Sequence, residues 1–408
     1  MPLRLTREDR FWTHSVFVAL LTITFALAPS RRADAQKIVK AGVILTYSGP
    51  NASLGEQIDR AFELYIKLHK QELPPGIEIQ VIKRDDTGPA PDVAKRLARE
   101  LITRDQIQIL SGGDWTPNVA AIAPLVTEAR IPYVLMGSGT AKITRSSPFI
   151  VRLAFTQWQM SYHLGKWAAA NSYRKAATLV SDYAPGYDAE AAFARGFTDG
   201  GGKIVAALRV PLHDPDFVPF LERIRQLAPD SLFVFTPGGP AAIAAVKDFH
   251  ELGLDRSGIQ LMASGATLPD DELQSMGGGV LGAISSSHYS ASGDRPANRK
   301  FVEAWKRAYG TSSVPNYFSV GGWDGMAAIF DLVRRQHGEI DPDRSVDILK
   351  GWSNPDSPRG PISIDPQTRD IIQNIYIRRV EKVNGELRNV EFATVPAVKD
   401  PWKELNPP

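Results

Sequence analysis

The amino-acid sequence predicts an α/β protein of two lobes, each built on a parallel central β-sheet. Beyond Lys37 the chain repeats a unit of apolar strand, polar loop and helix, and such units place successive strands side by side in parallel sheets. The 408 residues exceed what one hydrophobic core usually holds, so two domains are expected. Apolar and polar residues alternate on both sides of Asn384-Gly385, a dipeptide typical of a tight turn, which predicts an antiparallel hairpin near the end.

The first domain opens with a strand over residues 38–45 and a helix. Apolar residues recur at helical spacing in that helix, namely Ile58, Ala61, Phe62, Tyr65 and Leu68. A second strand is predicted over residues 77–86 and a second helix over residues 91–105, where Pro91 is favourable at a helix start.

The next strand-helix-strand unit carries the best candidate site. Its strands are predicted over residues 107–110 and 133–136, and a polar turn follows each of them. The carboxyl ends of parallel strands meet at the edge of the sheet where ligands bind. Five residues of the two turns are therefore expected to face one crevice: Trp115, Thr116, Ser138, Gly139 and Thr140. Their hydroxyls and amides suit a small anion or carboxylate, although ordinary helix caps would use the same residue types.

Further candidate residues follow from the same rule. Tyr47 lies at the end of the first strand, and a second α/β domain is expected over roughly residues 157–283. Loops after the strands of that domain carry Asp182, Tyr187, Gly238, Gly265 and Ala266. Four aromatic residues are open to two interpretations, a pocket wall or ordinary core packing: Phe235, Tyr289, Phe318 and Trp323.

Composition excludes several classes of function. Lys and Arg total 47 against 45 Asp and Glu, and no basic stripe with interleaved aromatics occurs, so no nucleic-acid partner is expected. The absence of cysteine excludes disulfides, thiolate metal sites and a lipid-modified cysteine. The histidines form no metal-binding motif and the glycine-rich segments match no phosphate-binding pattern, so we predict neither a metal nor a cofactor. We also expect a monomer.

No catalytic motif is present either. The segment 137–139 lacks the frame of a nucleophile elbow, so a hydrolase that uses Ser138 is a remote alternative. Asp85-Asp86 resembles a carboxylate pair, but next to Lys83 and Arg84 at a strand end we interpret it as a solvated turn.

The N-terminal residues are typical of an export signal. Arg4, Arg7 and Arg10 precede an apolar run over residues 16–28, and small residues follow at 33–35. We predict a cleaved signal peptide over residues 1–35 and a periplasmic location, with an uncleaved membrane anchor as the alternative.

Several segments, in their order along the chain, resemble the periplasmic leucine/isoleucine/valine-binding proteins of ABC importers. They are KIVKAGVILTYSGPNASLGEQ, IKRDDTGPAPDVAKRLARELI, SGGDWTP, IPYVLMGSGT, SDYAPGYDAEAAFARGF and NYFSVGGWDGMAAIF. The resemblance implies two Rossmann-like lobes joined by a three-strand hinge, the type I periplasmic binding protein fold. It places residues 37–155 and 286–364 in the first lobe and residues 156–285 and 365–408 in the second. An ABC permease in the inner membrane is the implied partner.

The resemblance also implies roles for individual residues. The turns with Trp115-Thr116 and 138–140 would hold the carboxylate of a ligand, Tyr187 would close over it, and Phe318 would supply an aromatic wall with Trp323 nearby. The family's amino-acid binders grip the ligand's ammonium with an acid in the loop that matches 264–266, and this chain has none there. Because an unpaired buried ammonium costs several kcal/mol, we predict a small carboxylate without an amino group, such as an aromatic or other organic acid. An amino-acid-binding protein and a ligand-sensing receptor of the same fold are the alternatives.

Overall fold

The computed structural model describes residues 36–407, so the predicted signal peptide over 1–35 lies outside the described residues. The first part of the described chain contains β1 (Lys37–Leu45), α1 (Ala52–His69), β2 (Ile77–Asp85), α2 (Pro91–Thr103), β3 (Ile109–Gly112), α3 (Thr116–Ala129), β4 (Tyr133–Leu135) and β5 (Ile150–Arg152). The five strands form a parallel sheet in the order β2-β1-β3-β4-β5. Because β3 and β4 lie side by side, the turns that follow them emerge at one edge, as predicted.

A second sheet follows. Its part of the chain contains α4 (Gln157–Ala170), β6 (Lys175–Ser181), α5 (Ala184–Asp199), β7 (Lys203–Val210), α6 (Val218–Leu227), β8 (Ser231–Phe235), α7 (Pro240–Glu251), β9 (Gln260–Ser264), α8 (Leu273–Met276) and β10 (Ile284–Ser287). Strands β7-β6-β8-β9-β10 pair in parallel in that order. The prediction of two parallel central sheets in an α/β fold is therefore confirmed.

The remainder of the chain packs helices next to the first sheet and adds strands to the second. It contains α9 (Pro296–Tyr309), α10 (Tyr317–Arg335), α11 (Pro342–Lys350), β11 (Ser353–Asn354), β12 (Ile362–Ile364), β13 (Ile371–Val383), β14 (Glu386–Val398) and α12 (Pro401–Leu405). Helix α10 packs along α1 of the first sheet, whereas β13 adds antiparallel to β10 of the second. The chain thus passes between the sheets near residues 155 and 287, close to two of the boundaries expected for two lobes, and it returns to the second sheet between α11 and β11. The division into lobes itself stays a prediction.

The predicted hairpin is confirmed. β13 and β14 pair antiparallel, and Val383 lies opposite Glu386 across a two-residue turn. Asn384 and Gly385 both have positive φ, at 53° and 88°, the conformation that lets a two-residue turn follow the twist of the strands.

One strand boundary differs from the prediction. The strand predicted over residues 107–110 begins at Ile109 and ends at Gly112, which pairs with Ile44 on one side and Leu135 on the other. Leu68 lies in α1 as predicted, although it is 48% exposed.

A fully buried arginine holds the two sheets together. Nε of Arg359 lies 2.8 Å from Oδ2 of Asp324 in α10, and both side chains have no exposed surface. The two terminal nitrogens of Arg359 donate to the carbonyl oxygens of Leu153, Ala154 and Val320 and to Oε1 of Gln373, at 2.8 to 2.9 Å. These acceptors follow β5 and lie in α10 and β13, so one guanidinium joins three segments where the chain passes between the sheets.

We expect Arg359→Met to lower the free energy of unfolding by about 3–5 kcal/mol, because Asp324 would be left buried and unpaired. Arg359→Lys should rescue little of the loss, since an ammonium cannot match the fork of acceptors. The double variant Arg359→Met with Asp324→Leu is the control, and it should recover stability by removing the orphaned charge. Urea unfolding measures all three, and a loss under about 1 kcal/mol in the single variant would contradict this role.

Candidate functional site

Three hydroxyl groups from neighbouring turns meet at the carboxyl edge of the first sheet. Oγ1 of Thr116 lies 2.7 Å from Oγ of Ser138, and Oγ1 of Thr140 donates to Oγ1 of Thr116 at 3.1 Å. All three side chains are buried. The prediction that these turns face each other is confirmed by these contacts, and the hydroxyls bond to one another in place of a charged partner.

Backbone constraints shape the turn after β4. Ser138 has a φ of 63°, in the left-handed region that residues other than glycine rarely adopt. A Cβ on Gly137 would lie 2.7 Å from Cα of Asp114, so glycine allows the two turns to approach closely. Nη2 of Arg152, a buried residue of β5, donates to the carbonyl of Thr140 at 2.6 Å and fixes the far end of the turn.

The hydroxyl cluster lies beside a cavity at which loops from both sheets converge. The cavity is narrow, with about 30 Å³ of space for the centre of a water molecule, so a ring-sized ligand fits only when the cavity walls move apart. Its lining residues are Leu54, Asp114, Trp115, Thr116, Ser138, Gly139, Phe155, Gln157, Tyr183, Pro185, Phe235, Pro237, Ala266, Tyr317 and Phe318. None of these is a lysine, arginine or histidine, so an anion in the cavity would be held by hydroxyl and amide donors.

Aromatic rings form much of the cavity wall. Tyr183 stacks against Phe235 with ring centroids 6.0 Å apart and 16° between the planes, and it also contacts Trp115. On the other side Phe155 meets Tyr317 and Phe318 edge to face, at 5.4 and 5.9 Å. Rings in these arrangements suit a flat apolar ligand.

A buried polar network lies next to the hydroxyl cluster. Nε1 of Trp115 donates to Oγ1 of Thr46 at 3.0 Å, and that hydroxyl donates to Oδ1 of Asp86 at 2.8 Å. Asn118 donates to the other oxygen of Asp86 at 2.7 Å. The interpretation of Asp85-Asp86 as a solvated turn was therefore wrong for Asp86, which is fully buried and anchors Trp115 through Thr46.

Asp114 is an acid in the cavity wall that sequence patterns did not single out. The amide of Thr46 donates to its Oδ2 at 3.2 Å, while its buried Oδ1 has no hydrogen-bond partner among the described residues. Burial, and then the nearby Asp86 carboxylate, raise the pKa of Asp114 to about 8. At neutral pH the acid is therefore mostly protonated, so it does not repel an anion in the cavity.

About half of the predicted site residues line the cavity. Those that do are Trp115, Thr116, Ser138, Gly139, Phe235, Ala266 and Phe318, with Thr140 bonded behind them. Those that do not are Tyr47, Asp182, Tyr187, Gly238, Gly265, Tyr289 and Trp323.

The seven predicted residues that do not line the cavity have other roles in the structure. The hydroxyl of Tyr47 bonds Asp59 at 2.6 Å instead of facing the cavity. Tyr289 is fully buried against Phe301, and Trp323 packs edge to face on the same ring, so both belong to the core. Gly238 and Gly265 neighbour the lining residues Pro237 and Ala266, and their backbone supports the loops.

Tyr183 occupies the place expected for Tyr187. Tyr187 is 42% exposed, bonds Asp182 through its hydroxyl at 2.9 Å and stacks under Arg209, away from the cavity. The correction has a geometric reason, because Tyr183 is the residue before α5 and therefore stands at the sheet edge, whereas Tyr187 lies a turn along the helix. Asp182, exposed beside it, likewise does not reach the cavity.

Sequence reasoning missed Phe155, Gln157 and Tyr317. Phe155 and Gln157 flank the passage from β5 to α4, and Tyr317 opens α10. The aromatic entry to α10 and the polar start of α4 were visible as patterns, but nothing local indicated that distant segments bring them together.

No group of three or more His, Asp or Glu side chains within residues 36–407 is placed to hold a metal ion. No helix in the same range is long and apolar enough to cross a bilayer.

Residues 38–386 match the model of a family described as periplasmic binding protein. The chain is 38% identical over 380 residues to "Leu/Ile/Val-binding protein homolog 6" of Brucella melitensis, covering 92% of this chain and 96% of that protein. A solute-binding protein of an ABC transporter from Rhodopseudomonas palustris BisB5, solved in complex with 3,4-dihydroxybenzoic acid, is 48% identical, with a TM-score of 0.86 and coverage of 90% of this chain and 99% of the other. Another, from Rhodopseudomonas palustris HaA2 in complex with p-hydroxybenzoic acid, is 38% identical, with a TM-score of 0.86 and coverage of 89% and 98%.

The raised pKa of Asp114 predicts a pH dependence of stability. Its folded-state pKa of about 8 lies above the unfolded value of about 3.9, so the folded protein binds an extra proton between them. The contribution is fully present below the unfolded value and is lost as pH rises through about 8.

We therefore expect the free energy of unfolding to fall between about pH 5 and 8, by at most about 1.4 kcal/mol per pH unit from this group. Asp114→Asn should flatten that slope, measured by urea unfolding at several pH values. Asp356→Asn, at an exposed position, is the control and should keep the wild-type slope. Equal slopes in wild type and Asp114→Asn would rule out the shifted carboxyl.

Proposed function

This chain belongs to the periplasmic binding protein family, and we propose that it is an exported solute-binding protein of an ABC importer that carries a small aromatic carboxylate without an amino group. The observation that carries the proposal is a cavity with three clustered hydroxyls at one end, aromatic walls around it and an acid whose pKa favours the neutral form. Relatives solved with hydroxybenzoates support the same ligand class.

The hydroxyl end of the cavity suits a carboxylate. Thr116 and Ser138 are buried, and a ligand oxygen would replace the hydrogen bonds that they now make to one another. A hydrogen bond to a charged group contributes about 1.5–3 kcal/mol, so two or three such bonds are enough to orient a small acid without an arginine. The rings of Trp115, Tyr183 and Phe318 would then enclose the apolar part of the ligand.

The remaining features of the proposal concern transport. The protein would reach the periplasm through a signal peptide over residues 1–35, act as a monomer, and deliver its ligand unchanged to a permease in the inner membrane. Ligand contacts from both sheets would favour closure of two lobes, residues 37–155 with 286–364 and residues 156–285 with 365–408. Closure is driven only by what the ligand gains from the second lobe.

Asp114 favours one alternative, an amino acid as ligand. An ammonium near its unpartnered Oδ1 would favour the ionised carboxylate and form a charge-assisted hydrogen bond. Asp114→Asn separates the two functions, because it should abolish binding of an amino acid but leave an aromatic carboxylate bound within about threefold.

A ligand screen tests the proposed function directly. We expect benzoate, 4-hydroxybenzoate or 3,4-dihydroxybenzoate to raise the melting temperature by several degrees, since a ligand at a hundred times its Kd stabilises the folded state by about 2.7 kcal/mol. Leucine, isoleucine and valine at the same concentrations should leave it unchanged. Stabilisation by these amino acids alone would refute the ligand class.

Ala266→Glu tests the electrostatic logic. Ala266 is buried and lines the cavity, so a glutamate there would place a negative charge near the ligand. A second charge a few ångströms away opposes a carboxylate by about 1–4 kcal/mol, whereas an amino acid would gain about 1.5–3 kcal/mol through its ammonium.

Ala266→Gln is the matched control, because it fills the same space without a charge. Calorimetric titration of both variants should show that the glutamate weakens 4-hydroxybenzoate beyond the effect of the glutamine. Equal losses in the two variants would mean that bulk and not charge decides binding at this loop.

A further inference from the structure

Gln157 lies where the hydroxyl cluster meets the second sheet. It is the first residue of α4, its backbone amide donates to the carbonyl of Gly139 at 2.8 Å, and it is almost completely buried. A Cβ placed on Gly139 would lie 3.1 Å from Nε2 of Gln157 and 3.2 Å from its Cγ, so the side chain runs along the turn that carries Ser138. Gln157 also lines the cavity.

Ser264 determines which end of the side-chain amide faces which way. Oγ of Ser264, at the end of β9, donates to Oε1 of Gln157 at 2.8 Å. Oγ of Ser264 also has a long contact with the backbone amide of Ala266, at 3.4 Å, while its own proton is donated to Gln157. The carbonyl end of the amide is thereby occupied, and the NH₂ end is directed away from Ser264.

The NH₂ end has no protein acceptor. Among residues 36–407, no oxygen receives a hydrogen bond from Nε2 of Gln157, and this nitrogen is not among the fully enclosed polar atoms that lack a partner. A donor that is held in place, borders the cavity and has no partner in the protein requires an acceptor from the ligand or from water.

We propose that the side-chain amide of Gln157 donates a hydrogen bond to the ligand's carboxylate and determines specificity for an acid, with Ser264 as the positioning residue. This inference rests on the proposed function, in which Thr116 and Ser138 receive the same carboxylate. An NH₂ group presents the positive end of its dipole, so it attracts a carboxylate and opposes an ammonium. The absence of an acid at residues 264–266 then has a counterpart, because Ser264 supports a donor instead.

The contact also joins the ligand to the second sheet. Gln157 receives its orientation from a residue at the end of β9, whereas the three hydroxyls belong to turns of the first sheet. A carboxylate bound by both sets of donors favours the arrangement in which the end of β9 is close to the turns of the first sheet.

Two variants and two ligands test the inference by calorimetric titration at pH 7, where Asp114 is still mostly protonated. 4-Hydroxybenzoate and 4-hydroxybenzamide have nearly the same shape, but only the acid carries a charge. Gln157→Glu should weaken 4-hydroxybenzoate by about 10- to 100-fold and 4-hydroxybenzamide by less than about threefold, because the ligand's own NH₂ can donate to the glutamate. Gln157→Met, which removes the donor without adding charge, should weaken the acid by about tenfold and the amide less.

The outcomes separate the two proposals. If wild type binds 4-hydroxybenzoate but each variant weakens acid and amide by the same factor, Gln157 only packs the cavity and this inference is overturned. If wild type binds no aromatic carboxylate at all, the proposed function fails and the inference fails with it. Thermal melts show whether both variants fold. If the glutamate variant does not fold, the result of the methionine variant alone decides. Ser264→Ala should reproduce part of the loss for the acid and leave the amide nearly unchanged.

Discussion

The ion pair of Arg359 with Asp324 is the contact on which the position of the cavity depends. The acceptors of the Arg359 guanidinium lie just after β5, in α10 and in β13. The cavity residues Phe155 and Gln157 follow the first of these segments, and Phe318 lies in the second. A buried ion pair is weak evidence for stability, since two charges lose their hydration. Here the guanidinium uses all its donors on fixed acceptors, so its main effect is to set where the sheets meet.

The parts of the site that follow from strand topology could be predicted from sequence. Because neighbouring parallel strands end at the same edge, the sequence places the turns with Thr116 and Ser138 in one crevice, and in the structure their hydroxyls are in contact. The tyrosine that the second sheet contributes differs from the predicted one by one helical turn. The segment with Tyr183 and Tyr187 contains two tyrosines, and the start of α5 at Ala184 decides which one stands at the edge.

Other features of the site depend on contacts between residues that are distant in sequence, so local patterns do not predict them. The charged sequence neighbours of Asp86 favour a solvated side chain, yet Thr46 and Asn118, distant in sequence, donate to its two oxygens inside the protein. Asp114 is similar, since its elevated pKa comes from burial and from Asp86, neither of which a local pattern reveals. Such groups are recognised only when the packing of three separate segments is known.

A cavity that offers donors without a lysine or arginine among its lining residues has a consequence for transport under the proposed function. A fixed cation would hold a carboxylate in the open and the closed arrangement alike, because its attraction acts over several ångströms. Hydroxyl and amide donors act only at contact distance. If Gln157 and the hydroxyls of Thr116 and Ser138 must all contact the ligand, affinity depends on closure of the lobes. Reopening against a permease would then break some of these hydrogen bonds. Hence the same choice of neutral donors that selects for an acid would also permit its release.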